Sequence, residues 1–222
     1  MRQRKIKDIE NKILKYNYLL VDDYSQVNGH WRNQFVVDDK ETGKVAKKLY
    51  VEFGCGRGRF INDTATKFSN ELFVAVEGVT SVIYRALEKA DVSQLINIRF
   101  INSYIDDASE IFAIDEVNGI YLNFSDPWPK ERHERRRLTA PNANEAYLKI
   151  LAPDGFIEQK TDNERFFDYS HSKFIEAGFE IIEYSKDLHT SEYNSKNIMT
   201  EYERKFSLLG KKINYLKAIK SK

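Results

Sequence analysis

The 222-residue chain predicts an α/β fold, a doubly wound, mostly parallel seven-stranded sheet closed at one edge by an antiparallel hairpin. Three observations carry that expectation. From residue 48 short apolar runs recur at intervals of about 20 to 30 residues, the spacing of right-handed crossovers. Amphipathic, helix-like segments fill the intervals. The last two strand candidates are more polar and close together, as an edge hairpin would be.

In chain order, the parallel strands are expected in "KLYVEFG", "ELFVAVEG", "NIRFINS", "GIYLNFS" and "GFIEQKTD". Helices are expected over Phe60 to Phe68, Thr80 to Ala90, Asp106 to Phe112 and Asn144 to Leu151, with a further one from Asn163 to Ala177. "FEIIEYSKD" and "TEYERKFSLLG" supply the hairpin. Ahead of this core, 48–222, residues 1–30 read as a basic extension whose Ile6, Ile9, Ile13 and Leu14 lie near helical spacing. No linker or repeat divides the chain, so 1–222 reads as one domain.

Composition narrows the setting. A hydrophobic content of 41% is enough for one substantial core. A single cysteine, Cys55, excludes a disulfide framework or a Cys-rich zinc site, and His30, His133, His171 and His189 are too scattered for a metal pair. No metal is expected. There is no apolar run of membrane-spanning length, so no membrane is expected and the setting is a reduced cytoplasm, with the protein a monomer or homodimer. With a net charge of only +1, attraction for a polyanion must come from patches. Three are visible: Arg2, Arg4, Lys5 and Lys7; Lys130 to Arg137; and the terminal "KKINYLKAIKSK". Any one of them alone reads as a solvated face or a frayed end.

Two stretches carry chemistry. "YVEFGCGRGRF" places Gly54, Gly56 and Gly58 at the end of the first strand and the mouth of a helix, where a ligand can approach the backbone amides. The dinucleotide fingerprint wants glycine where this chain has Arg59. Glu77, ending the second strand, suits the ribose hydroxyls of either NAD or S-adenosylmethionine. Glu52 discriminates between them. A carboxylate inside an apolar run needs a cationic partner, which the ammonium and sulfonium of S-adenosylmethionine provide and a pyrophosphate does not. A Rossmann-like fold for that cofactor follows.

The second stretch is "NFSDPWPKERHERRRL", which ends the fourth strand beside the point where strand order reverses. Pro127 and Pro129 are expected to bias Asp126 and Trp128 toward extended backbone, and five Lys/Arg follow within eight residues. With "EFGCGRGRF", "KTDN" and "NIMTEYERKFSLLG", this stretch closely resembles the bacterial tRNA (guanine-N7-)-methyltransferases, over about Trp31 to Gly210. The resemblance implies a class I S-adenosylmethionine-dependent methyltransferase acting on N7 of the variable-loop guanine, position 46, of tRNA. It also implies cofactor positions at Glu52, Glu77 and Asp126, with Asp126 the catalytic residue as well. Lys130, Asp162, Thr200, Glu201, Tyr202 and Glu203 fall on tRNA positions. Where the family has an acid near the adenine this chain has Tyr104; Tyr104 could stack on the base, or Asn102, Ser103 or Asp106 could bond its amino group.

Guanine N7 has a free lone pair and no proton to lose, so alignment and charge stabilisation should outweigh base catalysis. Asp126 could favour the cationic product ring or accept from the guanine N1–H and amino group. Lys130, Arg132, Arg135, Arg136 and Arg137 would meet flanking phosphates. Two other readings stand beside this one: an amine-N methyltransferase acting on nucleic acid or a small molecule, and a non-catalytic tRNA-binding module.

Overall fold

A computed structural model describes residues 6–38 and 44–221; Arg2, Arg4 and Lys5 of the first basic patch lie outside the described residues. Two short strands, β1 (Val36–Asp38) and β2 (Lys44–Val45), form a separate antiparallel ribbon. The main sheet has seven strands: β3 (Leu49–Phe53), β4 (Leu72–Val76), β5 (Ile98–Ile101), β6 (Val117–Asn123), β7 (Leu151–Thr161), β8 (Phe179–Ser185) and β9 (Asn214–Lys220). Their order is β5-β4-β3-β6-β7-β9-β8. The first five are parallel, and β9 inserts antiparallel between β7 and β8. Chain order therefore reverses between β3 and β6, which places the ligand crevice at their carboxyl ends.

Alternation along the central strands builds two different faces. Val51 and Phe53 of β3, Ile120 and Leu122 of β6 and Ile157 of β7 join one core, with Tyr147, Phe167 and Phe174. Tyr147 comes from α5 (Pro141–Ile150), the two phenylalanines from α6 (Glu164–Glu176). On the opposite face Phe73, Ala75, Ile98 and Phe100 pack with Ile61 of α3 (Arg59–Lys67) and Ile83 and Leu87 of α4 (Thr80–Val92).

The N-terminal segment is built into this frame. After the single short turn α1 (Ile9–Ile13), Tyr16 and Leu19 enter the second core; Val21, Val27 and Trp31, which opens α2 (Trp31–Gln34), enter the first. Leu19 and Val21 also hydrogen-bond Phe100, with Phe100 N donating to Leu19 O (2.8 Å) and Val21 N to Phe100 O (2.9 Å), so this segment lies along the outer edge of β5.

Three expectations are corrected. "TEYERKFSLLG" is not a strand but helix α7 (Glu201–Ser207), opened by a capping box in which Thr200 and Glu203 each bond the other's backbone amide. The second hairpin strand is instead drawn from "KKINYLKAIKSK", whose Leu216 and Ala218 are buried, so that basic segment is largely β9 and no frayed end. Asp106 to Phe112 holds only a 3-10 turn, Ala108–Glu110, begun by the Asp107 side chain accepting from Ser109 N.

Candidate active site

The loop after β3 turns on three glycines at positive φ: Gly54 (73°), Gly56 (57°) and Gly58 (71°). Space at Gly56 is open, whereas a side-chain carbon at Gly58 would sit 2.4 Å from Cβ of Ala86 on α4. The first leaves room for a ligand; the second lets two helices close over the loop. Gly58→Ala is accordingly expected to destabilise the fold by roughly 2 kcal/mol or more, measured by chemical denaturation, because strain and collision add.

Around that loop the strand ends are stitched together by polar bonds. Glu77 accepts from the Gly56 amide (3.1 Å) and the Val79 amide (2.9 Å). Asn102 donates to the Glu77 carbonyl (2.9 Å). Tyr104 is exposed, and its ring lies against Gly78, where only a glycine leaves room for it. Glu52, 2% exposed, accepts from the Asn123 side-chain amide (2.7 Å) through Oε1, while its Oε2 has no hydrogen-bond partner among the described residues. Burial pushes the Glu52 carboxyl up to about 8; the Asn123 bond, Lys160 and the Ile61 amide oppose the shift and Glu77 adds to it.

The Asp126 loop is strained as well as stiff. Phe124 (φ 51°) and Trp128 (φ 39°) occupy the left-handed region without being glycines, at a cost of about 1–3 kcal/mol each, so the extended backbone expected of Trp128 before Pro129 is corrected. Ser125 Oγ is buried with no partner among the described residues. Asp126 between them is exposed, with no hydrogen bond or ion pair among the described residues. The basic run that follows divides. Arg137 donates to the carbonyls of Pro127 (3.1 Å) and Trp128 (3.1 Å) and lies over the Tyr169 ring, so this half-buried guanidinium clamps the loop. Arg136 lies over Trp128 and Arg132 bonds His133. Lys130 and Arg135 are exposed, with no side-chain bond among the described residues.

The remaining expected tRNA residues fall into two groups. Asp162 is paired with Lys211 (2.9 Å) and stands near Tyr202, which is 42% exposed, stacks on Phe206 and lies tilted against Phe124. Glu201 bonds Lys89, whose ammonium also reaches the Arg57 carbonyl (2.9 Å) in the glycine loop. Thr200 and Glu203 are buried. Glu203 is fully enclosed and bonds Lys160 (2.9 Å), His189 (2.8 Å) and Asn197 (2.6 Å), so the expected contact between Glu203 and tRNA is corrected to a structural one. Burial pushes its carboxyl up, but those three partners pull it below the usual range. Sequence reasoning missed Asn123 and Lys160; a polar residue at the inward register of a parallel strand was the available signal.

These residues fit S-adenosylmethionine. Glu52 Oε2 is an unspent buried acceptor beside an open, glycine-lined backbone, and a cation there would relieve it. Among the described residues no cluster suits a metal ion, and no helix is long and apolar enough to cross a membrane.

Residues 46–216 match a protein family described as a putative methyltransferase. A tRNA (guanine-N(7)-)-methyltransferase of Geobacillus kaustophilus (strain HTA426) is 40% identical over 220 residues, covering 99% of this chain and 97% of its own. One from Mycoplasma mobile is 43% identical over 175 residues, covering 79% and 87%. Among solved structures, an antibiotic-related methyltransferase superposes with a TM-score of 0.57 at 15% identity, over 78% of this chain and 87% of that one. A 30S ribosomal A1408 methyltransferase from an uncultured bacterium gives 0.51 at 15% identity, over 99% and 97%. At that identity the structural likeness concerns the fold alone.

Proposed function

The chain belongs to the tRNA (guanine-N7-)-methyltransferase family, and from that premise we propose that it methylates N7 of the variable-loop guanine of tRNA, in the cytoplasm, using S-adenosylmethionine. The observation that carries the reading is the Asn123–Glu52 bond. It ties the buried cofactor carboxylate to the last residue of β6, three residues before Asp126, which has no hydrogen bond or ion pair among the described residues. A cation-binding pocket and a free carboxylate thus share one strand end.

When bound, the cofactor supplies an electrophilic methyl group on a sulfonium. Glu52 holds its cationic end, the amides of the glycine loop and the Glu77 carboxylate hold its nucleoside, and Tyr104 offers a ring beside Gly78. Asp126 accepts from the guanine N1–H and amino group and so turns the opposite edge, N7, toward the methyl. Its negative charge also favours the cationic ring that results. No residue needs to remove a proton, because N7 carries none. Tyr202 and Asp162 border the target base, and Lys130 and Arg135 take flanking phosphates.

The deciding experiment incubates the protein with unmodified tRNA and labelled S-adenosylmethionine, then treats the RNA with borohydride and aniline. Label together with chain cleavage at the variable loop is expected. Label without cleavage would move the acceptor to an amine, and tRNA binding without label would leave a binding module.

The phosphate contacts are checked separately. Lys130→Ala with Arg135→Ala removes two exposed cations that have no side-chain bond among the described residues. The slope of log affinity against log salt should fall by about 1.4–1.8, since each phosphate contact contributes about 0.7–0.9. An unchanged slope returns these residues to an ordinary solvated face.

A further inference from the structure

Lys160 stands where the cofactor side and the tRNA side of the site meet. On β7 it is the register partner of Asn123, whose amide holds Glu52. Its ammonium is almost entirely buried and donates to Asn197 Oδ1 (3.0 Å), the Ile198 carbonyl (2.8 Å) and Glu203 Oε2 (2.9 Å). All three protons are spent on one segment. Glu203 passes the attachment on, to His189 and Asn197 and, across the capping box, to the Thr200 amide (3.3 Å). A cavity of about 130 Å³, lined by Phe60, Tyr121, Lys160, Tyr193 and Asn197 among others, lies between the preceding part of the segment and α3 and the sheet. The polar cluster is the buried anchor of the 197–203 end, beside the more exposed Glu201–Lys89 bond. From that end α7 presents Tyr202 to Phe124, with ring centroids 4.8 Å apart, two residues ahead of Asp126.

We propose that Lys160 is a positioning residue that couples the two ligands: by holding 197–203 on β7, next to the β6 strand whose Asn123 bonds Glu52, it makes filling of the cofactor pocket and docking of tRNA favour each other. The proposal rests on the reading of Glu52 as the cofactor's carboxylate and of Tyr202 as a tRNA contact. The groups facing Glu52 are Lys160 from β7, Asn123 and Tyr121 from β6, Glu77 from the end of β4, Cys55 from its own loop and the Ile61 amide from α3. Of these only Lys160 is cationic. A cation arriving at Glu52 drives the Lys160 charge toward Glu203, which tightens the hold on α7. By linkage, a tRNA that needs α7 in that place must strengthen cofactor binding by the same factor.

The test measures the tRNA dissociation constant of the full chain with and without saturating sinefungin, an analogue that keeps a cationic centre and transfers no methyl. The wild-type chain should bind tRNA at least fivefold tighter with sinefungin present, the lower end of ordinary coupling. Lys160→Met with Glu203→Gln removes both charges together, avoiding a lone buried ion, and Gln still serves the capping box. In this variant the ratio should fall to about 1, and the pH midpoint of sinefungin binding should move up, because Lys160 no longer favours ionised Glu52. A merely structural role would weaken both affinities and leave the ratio and the midpoint in place, overturning the proposal. Independently of any variant, sinefungin should slow amide hydrogen exchange over 197–203 in the wild-type chain; unchanged exchange there also overturns it. A wild-type chain that binds neither sinefungin nor tRNA refutes the underlying function instead.

Discussion

Asp126→Ala is expected to lower methyl transfer by about 10²–10³-fold while tRNA binding and the thermal midpoint stay close to wild type. The split follows from where the residue stands. Asp126 is exposed, so its removal opens no cavity, and it bonds nothing among the described residues, so no partner is orphaned. The loop keeps its shape through Pro127, Pro129 and the Arg137 clamp on the Pro127 and Trp128 carbonyls. What is lost is the acceptor that aligns the guanine and the charge that favours its product. Single-turnover rates with prebound tRNA isolate that loss. Near-normal rates would remove Asp126 from the chemistry, and a large fall in thermal midpoint would make it a structural residue.

Glu52→Gln should have two opposite effects. S-adenosylmethionine should bind at least ~30-fold more weakly, because a buried charge pair loses one partner. The unliganded chain, however, should become more stable at pH 9. Burial raises the Glu52 carboxyl from an ordinary value of 4.5 to about 8 in the folded state, so the fold prefers it protonated. The stability this confers is fully present below pH 4.5 and is lost as pH rises through about 8. Glutamine cannot ionise and escapes the loss, which amounts to a few kcal/mol above pH 8. The same shift makes cofactor affinity in the wild-type chain fall as pH drops below 8, since Glu52 must give up a proton to receive a cation. The cofactor's own amine titrates nearby, so the Glu52 share is the part of the slope that glutamine abolishes. Calorimetric titration and denaturant melts at pH 6 and pH 9 check both halves; a variant that is less stable at pH 9 would mean that Glu52 already has a resident cation.

How much of this was legible in the sequence depended on how local each signal was. Glu52 was readable because a carboxylate inside an apolar run beside glycines has one physical remedy, and the structure leaves its second oxygen unspent. The parallel strands were readable from apolar runs at crossover spacing. β9 was not, because Lys217 and Lys220 dress it as a basic tail while Leu216 and Ala218 do the burying. α7 was mistaken for a strand because Tyr202, Arg204 and Phe206 alternate with charged residues; the Thr200–Glu203 spacing of a capping box was the better guide. Glu203 and Lys160 lie 43 residues apart, and nothing local to either foretells a buried pair. That concealment matters for the site, since an acid that looks available to RNA is the buried anchor of the helix proposed to meet it. Arg137 was hidden in the same way, as one cation among five whose commitment to the loop depends on how the chain turns back.

The contact of Leu19 and Val21 with Phe100 has a bearing on how the chain keeps to itself in solution. β5 ends the sheet on that side, and a short outermost strand with bare amides and carbonyls is a template for another molecule's strand. The N-terminal segment occupies those groups and buries Tyr16 and Leu19 beside them. A chain starting after residue 30 would keep every residue of the cofactor loop and of the Asp126 loop, yet it would offer an open, apolar border to its neighbours. It should precipitate at concentrations where the full chain stays dispersed, so the first 30 residues guard the sheet against self-association whatever else they do for RNA.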